Sequence, residues 1–253
     1  SFGTTGPKSI ENKTAKPYGS RFPIINNIDI INVQKLLIDE FKISKLHAVL
    51  GYSYGGHLVY LWATEFPDLM KGIVSIAGSL DRWDVTKEKI ELIEKPFSDC
   101  KNWNKGNFYG LDDKEIKDAL IDYRINVLKH YGFEDFLKTK TNDPEKIKSI
   151  ILDQALGWAN HFDPNSLIIL RRANYNSSAL KKLENIKIPI LKVLAKTDKV
   201  TNMDKGYETV EYFKSLKIRY KFLALHTDYG HYGPMCESNE WSEELKKFLD
   251  NTI

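Results

Sequence analysis

A chain of 253 residues with 42% hydrophobic content is long enough to bury the core of one α/β domain carrying an insertion. Its 37 basic and 34 acidic side chains leave a net charge of only +3, which argues against a nucleic-acid partner, and the lysines are spread along helical segments as on solvated faces. Two cysteines, Cys100 and Cys236, are too few for a disulfide framework, no Cys/His spacing suggests a metal, and there is no apolar run of about 18 residues or charged-then-apolar leader, so a cytoplasmic, reducing setting without a membrane partner is expected.

Residues 1–23 are rich in Gly, Ser, Thr and Pro with almost no apolar periodicity and read as a long loop. From Ile28 to Phe41 the apolar positions Ile28, Ile31, Leu36, Leu37 and Phe41 recur at helical spacing, with Asn26 or Asn27 as caps. Leu46–Leu50 reads as a strand that breaks into Gly51, Tyr52, Ser53, Tyr54, Gly55 and Gly56, and a helix follows from His57 to Phe66, closed by Pro67. Gly72–Ala77 has the fully apolar character of a strand buried on both faces of a parallel sheet.

From Asp81 to about Glu184 the strand pattern lapses. Helices are expected near 84–95, 112–130, 145–158 and 164–173, and the aromatics among them (Trp83, Trp103, Tyr109, Tyr123, Tyr131, Trp158, Phe162) are read as helix packing in preference to a substrate cage. The strand signal returns at 188–198, a helix at 204–215 leads to a strand at 219–225, and an amphipathic helix lies near 241–249. The fold class is therefore α/β, a mostly parallel sheet flanked by helices with a helical cap inserted: 1–80 and 186–253 are the two parts of the core and 81–185 the cap.

The stretch GYSYG carries the chemistry. A serine on a tight strand-to-helix turn projects its hydroxyl from the sheet, and Gly51 and Gly55 supply the small neighbours such a turn demands. Ser53 is then the nucleophile, and the amide of Tyr54, at the start of the following helix, is placed to meet a developing oxyanion. A Gly-rich turn without chemistry is the competing reading, but the strand before and helix after are the context the motif requires. Asp198 follows an apolar strand at its C-terminal edge, and His231 lies in a Gly-flanked loop after the next one. The order Ser53, Asp198, His231 is that of nucleophile, acid and base in the α/β-hydrolase fold. His226 is the competing base; Asp204 and Asp228 are the competing acids.

The stretches GTTGPKSI, KPYGSRFP, LGYSYGGH and WATEFPD, with Asp29 and Gln34 in the first helix, resemble the homoserine O-acetyltransferase family, whose fold is that of the α/β hydrolases. FDPNSLIILRRA at 162–173 is similar to the family's D-A-N-S-Y-L segment, IKIPILKVLAKTD to the strand that ends in its acid, and DYGHYG to its Y-G-H-D segment. The resemblance covers nearly the whole chain, with the middle of the cap divergent. It implies a ping-pong transfer: an acyl-CoA cosubstrate acylates Ser53, no cofactor being permanently bound, and the hydroxyl of a small-molecule acceptor removes the acyl group.

Two departures stand out. The family has Asp directly after the catalytic histidine, placed to meet the amine of homoserine; here that position is Tyr232, a candidate substrate contact. Sequences ending this way resemble the hydrolase-like branch of the family, so a serine esterase of small acyl esters is a second reading and a noncatalytic binding homologue a third. The family's first strands, with the H-A-L-T-G loop that gives the other oxyanion amide, would lie before Ser1. The expectation is thus an unpaired edge beside the Leu46–Leu50 strand and a separate N-terminal polypeptide that pairs with it, with a homodimer left open.

Overall fold

Four apolar runs line up side by side as one parallel sheet in the computed structural model, which describes residues 4–81, 86–175 and 177–251. In chain order the elements are β1 (Ile10–Glu11), β2 (Lys16–Pro17), α1 (Asn27–Glu40), β3 (Val49–Tyr52), α2 (Tyr54–Glu65), β4 (Ile73–Ile76), α3 (Lys87–Ser98), α4 (Lys114–His130), α5 (Phe133–Lys138), α6 (Pro144–Ala159), α7 (Pro164–Asn174), β5 (Ile190–Ala195), α8 (Met203–Ser215), β6 (Tyr220–Leu225), α9 (Gly233–Cys236) and α10 (Asn239–Asp250). Trp83 and the start of the helix expected at 84–95 lie outside the described residues. The chain divides into two compact units.

The sheet unit comprises residues 27–83, 131–136 and 176–253. Its strands run β3-β4-β5-β6, all parallel, so that Gly51, Ser75, Lys192 and Phe222 form one row across the sheet. Parallel neighbours need crossovers, and α2 and α8 supply the short ones. Every residue of β5 is buried, as expected of an interior strand sandwiched between layers. One layer is built on α2, buried continuously from Gly56 to Thr64, with Ile31 of α1 and Phe213 of α8 in the same cluster. Such a helix must be apolar nearly all round, and YGGHLVYLWATE is. A second cluster joins Val74, Leu191 and Val193 to Trp241, Leu245 and Phe248 of α10. Each large apolar chain so buried contributes about 1.5–3 kcal/mol.

The helical unit comprises residues 1–26, 84–130 and 137–175. It therefore takes in the N-terminal stretch, whose small β1–β2 hairpin is followed by a turn that holds Ser20 against Asn107. It leaves 131–136 and 176–185 to the sheet unit, whereas the sequence pattern alone drew one cap from 81 to 185. Its aromatics pack helices together: Phe97, Trp103, Phe108 and Tyr109 stack in series at 5.7, 5.4 and 4.5 Å, and Trp158 stacks on Phe162 at 4.4 Å. Two helices begin at Asp-Pro for one physical reason. Asp143 and Asp163 accept from first-turn amides of α6 and α7, and the proline occupies a position whose N–H has no helical partner. The FDPNS segment thus acts here as a helix start, with Asp163 also accepting from the Tyr109 hydroxyl at 2.7 Å.

The structure adds to or corrects the sequence pattern at three places. The strand read at Leu46–Leu50 is Val49–Tyr52, with Leu46 making a single bridge to Met70, so the strand runs to the residue before Ser53. The helix α5 lies outside the helices that periodicity predicts. Of the apolar positions that recur at helical spacing, Leu36 and Leu37 on α1 and Phe41 just past its end are 65, 55 and 66% exposed, whereas Ile31 is buried. Periodicity marks which face of a helix is apolar but not whether another layer covers it. Among the described residues β3 pairs only with β4, and Leu50 is exposed at that edge.

Candidate active site

The elbow is a backbone construction. Ser53 sits between β3 and α2 at φ 55° and ψ −113°, a left-handed conformation that a non-glycine residue holds only when its surroundings over-determine it. They do: its amide donates to Ile76 O at 2.8 Å and its carbonyl accepts from His57 N at 3.1 Å. A Cβ on Gly51 would lie 2.1 Å from Gly55 O, so the glycine two before the serine is obligatory. The glycine two after is not, because a Cβ on Gly55 meets nothing within 4 Å. The second close approach is one residue on, where a Cβ on Gly56 would lie 2.7 Å from Ile76 O and 2.9 Å from Gly78 Cα. Helix α2 can therefore lie directly on the end of β4.

Tyr54 opens α2, which puts its amide at the positive end of the helix dipole. Its hydroxyl donates to Asn27 Oδ1, and the Asn27 amide donates to Ser177 Oγ at 2.8 Å. Ser177 in turn meets His57 Nε2 at 2.7 Å, and His57 Nδ1 lies 2.9 Å from Ser79 O. A carbonyl only accepts, so Nδ1 carries the proton and the Ser177 hydroxyl donates to Nε2. Burial holds the His57 pKa below the usual histidine value, partly offset by the bond to Ser79 O, so this imidazole is a neutral strut of the elbow helix.

Asp198 and His231 are held by side-chain hydrogen bonds. Asp198, three residues past β5 and 3% exposed, accepts from Val200 N at 2.7 Å and Thr201 N at 2.9 Å through Oδ1. Its Oδ2 accepts from His231 Nδ1 at 2.8 Å. Thr201 donates to Ala77 O at 3.0 Å, tying the Asp198 loop to the end of β4. His231, 1% exposed in a short turn of Gly230–Tyr232, brings Nε2 to 2.7 Å from Ser53 Oγ. With Nδ1–H given to the carboxylate, Nε2 is the ring nitrogen that faces the serine hydroxyl. Three strand ends thus converge in one hydrogen-bonded line, Ser53–His231–Asp198.

The competing residues lie elsewhere. His226 is exposed and 2.6 Å from Lys196 Nζ, and Asp204 and Asp228 are exposed. The ring of Tyr232 packs on Phe133 and Phe136, with centroids at 4.9 and 6.2 Å. One unanticipated group is Lys192, fully buried in the middle of β5, which donates to Gly78 O at 2.7 Å. Burial brings its pKa down to about 7, against a smaller upward pull from Asp198. A lysine inside the run IPILKVLA is the signal that could have found it. Among the described residues no three His, Cys, Asp or Glu side chains gather as a metal site, and no helix is long and apolar enough to cross a membrane.

Comparison with known proteins agrees with this architecture. The family described as alpha/beta hydrolase fold matches residues 5–105. A homoserine O-acetyltransferase of Pasteurella multocida is 30% identical over 98% of this chain and 74% of its own length. One of Methanohalobium evestigatum is also 30% identical, over 99% of this chain and 55% of its own length. This chain thus spans about half the length of the Methanohalobium relative and about three quarters of the Pasteurella one. The crystal structure of esterase E22 superposes with a TM-score of 0.83 at 24% identity, over 97% of this chain and 72% of that one, a likeness of fold.

Proposed function

Since the chain belongs to the homoserine O-acetyltransferase family, with the α/β-hydrolase fold, we propose that it transfers an acyl group, acetyl in the first instance, from an acyl-CoA to the hydroxyl of a small acceptor through an acyl-Ser53 intermediate. The observation that carries this reading is the Ser53–His231–Asp198 line, with distances of 2.7 and 2.8 Å. His231 Nε2 takes the Ser53 proton as Oγ attacks the thioester carbonyl, and Asp198 stabilises the imidazolium that forms. The carbonyl oxygen becomes an oxyanion facing the Tyr54 amide at the head of α2. Collapse breaks the C–S bond, and His231 returns its proton to the departing thiolate. In the second half the acceptor hydroxyl gives its proton to His231, attacks the acyl-serine, and the proton returns to Ser53 Oγ as the new ester leaves.

A second reading, hydrolysis of small acyl esters with water as acceptor, is favoured by Tyr232. Where the resemblance leads one to expect a carboxylate for an amine, there is an aromatic ring packed on Phe133 and Phe136. The test is incubation with acetyl-CoA or a p-nitrophenyl ester, mass mapping of acetyl on Ser53, and a screen of alcohols including homoserine. Ser53→Ala should lose more than about 10³-fold in turnover while keeping its fold. Wild-type turnover in that variant would remove the acyl-serine mechanism.

The open β3 edge and the apolar outer face of α1 support a further part of the proposal, that a strand from a separate polypeptide pairs with β3 in the working protein. Native mass measurement of the active species decides between a companion chain and a homodimer, and an active lone chain sinks both.

A further inference from the structure

The loop that carries His231 is tethered by the chain neighbours of the other two members of the site. Thr197, immediately before Asp198, accepts from Gly230 N at 3.1 Å and donates to Thr227 O at 2.6 Å. Tyr52, immediately before Ser53, donates its hydroxyl to the main-chain carbonyl of His231. A third tether comes from the segment after α4, where Tyr131 O accepts from Tyr232 N at 2.9 Å and the Tyr131 ring lies 4.7 Å from the imidazole. Gly132, at φ +89°, lets that segment come so close that a Cβ there would meet Tyr229 O at 2.3 Å. The turn itself begins with Gly230 in the left-handed region, so its local sequence alone does not fix where the imidazole points.

We infer that Tyr52 is a positioning residue for the base: its hydroxyl, bonded to His231 O, ties the base loop to the residue preceding the nucleophile and so sets the reach of Nε2 to Ser53. The inference rests on the acyl-serine reading and deepens it. A bond from Tyr52 to a main-chain atom is independent of the protonation state of the imidazole, so it holds the loop both before and after the ring takes the serine proton. Its donor is secure as well. Burial first, and then the charge of Asp198 with Cys236, Tyr232 and Tyr131 nearby, pushes the Tyr52 pKa upward, so the phenol remains protonated throughout the working pH range. The ring of Tyr52 also lies 5.6 Å from the imidazole, tilted by 57°. Together with Tyr131 it gives the transient imidazolium a π-rich surrounding.

The experiment is Tyr52→Phe, which keeps the ring and deletes the tether. Two rates are read in the whole chain: turnover with acetyl-CoA, and phosphonylation of Ser53 by a fluorophosphonate probe, each across pH and each per folded molecule. Loosening the base should lower kcat and the phosphonylation rate about 10-fold with KM for acetyl-CoA unchanged, and alter the pH profile of both. Thr197→Val should give the same split from the acid's side, which serves if Tyr52→Phe does not fold. Wild-type rates and pH profile in a folded Tyr52→Phe variant would overturn the inference while leaving the acyl-serine reading standing. A wild-type chain whose Ser53 the probe never labels would overturn that reading first, and this one with it.

Discussion

Ser53 and its two hydrogen-bonded partners are held by different kinds of construction. Ser53 is fixed by main-chain packing: a positive φ, Gly51 against Gly55 O, and Gly56 against Gly78. Asp198 and His231 are fixed by polar side chains reaching main-chain atoms, with Thr197, Thr201 and Tyr52 as the anchors. Main-chain packing tolerates no added atom, since the opposing group is another backbone that cannot move alone. Hydrogen-bonded support is graded, because a lost bond costs a bounded amount and the loop can relax. The two sides should therefore fail differently.

The largest effect is expected from Asp198→Asn. Oδ1 would still accept from Val200 N and Thr201 N, so the loop keeps its shape. The amide that replaces Oδ2 donates instead of accepting, which turns His231 to the tautomer that cannot take the serine proton. A drop of about 10⁴ in kcat at unchanged fold is expected, read from steady-state kinetics beside a circular-dichroism melt. A variant with a tenth of wild-type rate would mean that His231 does not act as the base.

Next come two glycine variants that separate motif from structure. Gly51→Ala places a Cβ 2.1 Å from Gly55 O and should cost more than about 4 kcal/mol, seen as loss of soluble protein or collapse of the melting temperature. Gly55→Ala, in the first turn of α2 with nothing within 4 Å, should be neutral or stabilise by up to about 1 kcal/mol. Equal melting temperatures for the two would show that the elbow does not pack as described.

That pair also shows what is legible in the sequence. Ser53, Asp198 and His231 are readable because each follows an apolar run, where parallel sheets present functional groups, and the elbow motif is local. The parallel sheet and the cap helices are readable for the same reason, as contrasts of period along the chain. Gly55 is misread because a motif records residue types, while the close approach is to Gly78, 22 positions beyond Gly56 and invisible to local pattern. Tyr52 and Tyr131 are silent in sequence since their partners are a main-chain carbonyl and an imidazole in a distant loop. Segment 131–136 reads as cap because it lies between cap helices, yet its aromatic rings settle against Tyr229 and Tyr232 in the sheet unit.

Lys192 tests the Asp198 and His231 side at its deepest point. Its folded pKa of about 7 lies below the usual lysine value, so between those limits the unfolded chain binds the extra proton. Stability attributable to this group therefore rises as pH climbs above 7 toward 10, and the penalty for burying the ammonium is fully present below 7. Lys192→Met removes the charge but leaves Gly78 O without its donor. The expected outcome is a gain of about 1–3 kcal/mol at pH 6 that shrinks or reverses by pH 10, measured by urea unfolding at both pH values. A gain that is the same at both would show that Lys192 does not titrate in this range.

The smallest effect is expected where the sheet unit is least covered. Leu36 and Leu37 are more than half exposed on α1, whereas Ile31 of the same helix is fully buried against α2. Deleting buried apolar atoms leaves a cavity, so Ile31→Ala should cost about 2–4 kcal/mol. A lysine on the open face displaces water from nothing, so Leu37→Lys should stay within about 0.5 kcal/mol and reduce self-association, because it breaks an exposed apolar patch. Urea unfolding and light scattering at matched concentration read the two quantities. If the active species contains a companion strand, Leu37→Lys and Leu50→Lys should weaken its retention while leaving the unfolding of the isolated chain untouched. A loss above about 2 kcal/mol in the isolated chain from Leu37→Lys would mean that this face is already buried by the chain's own residues.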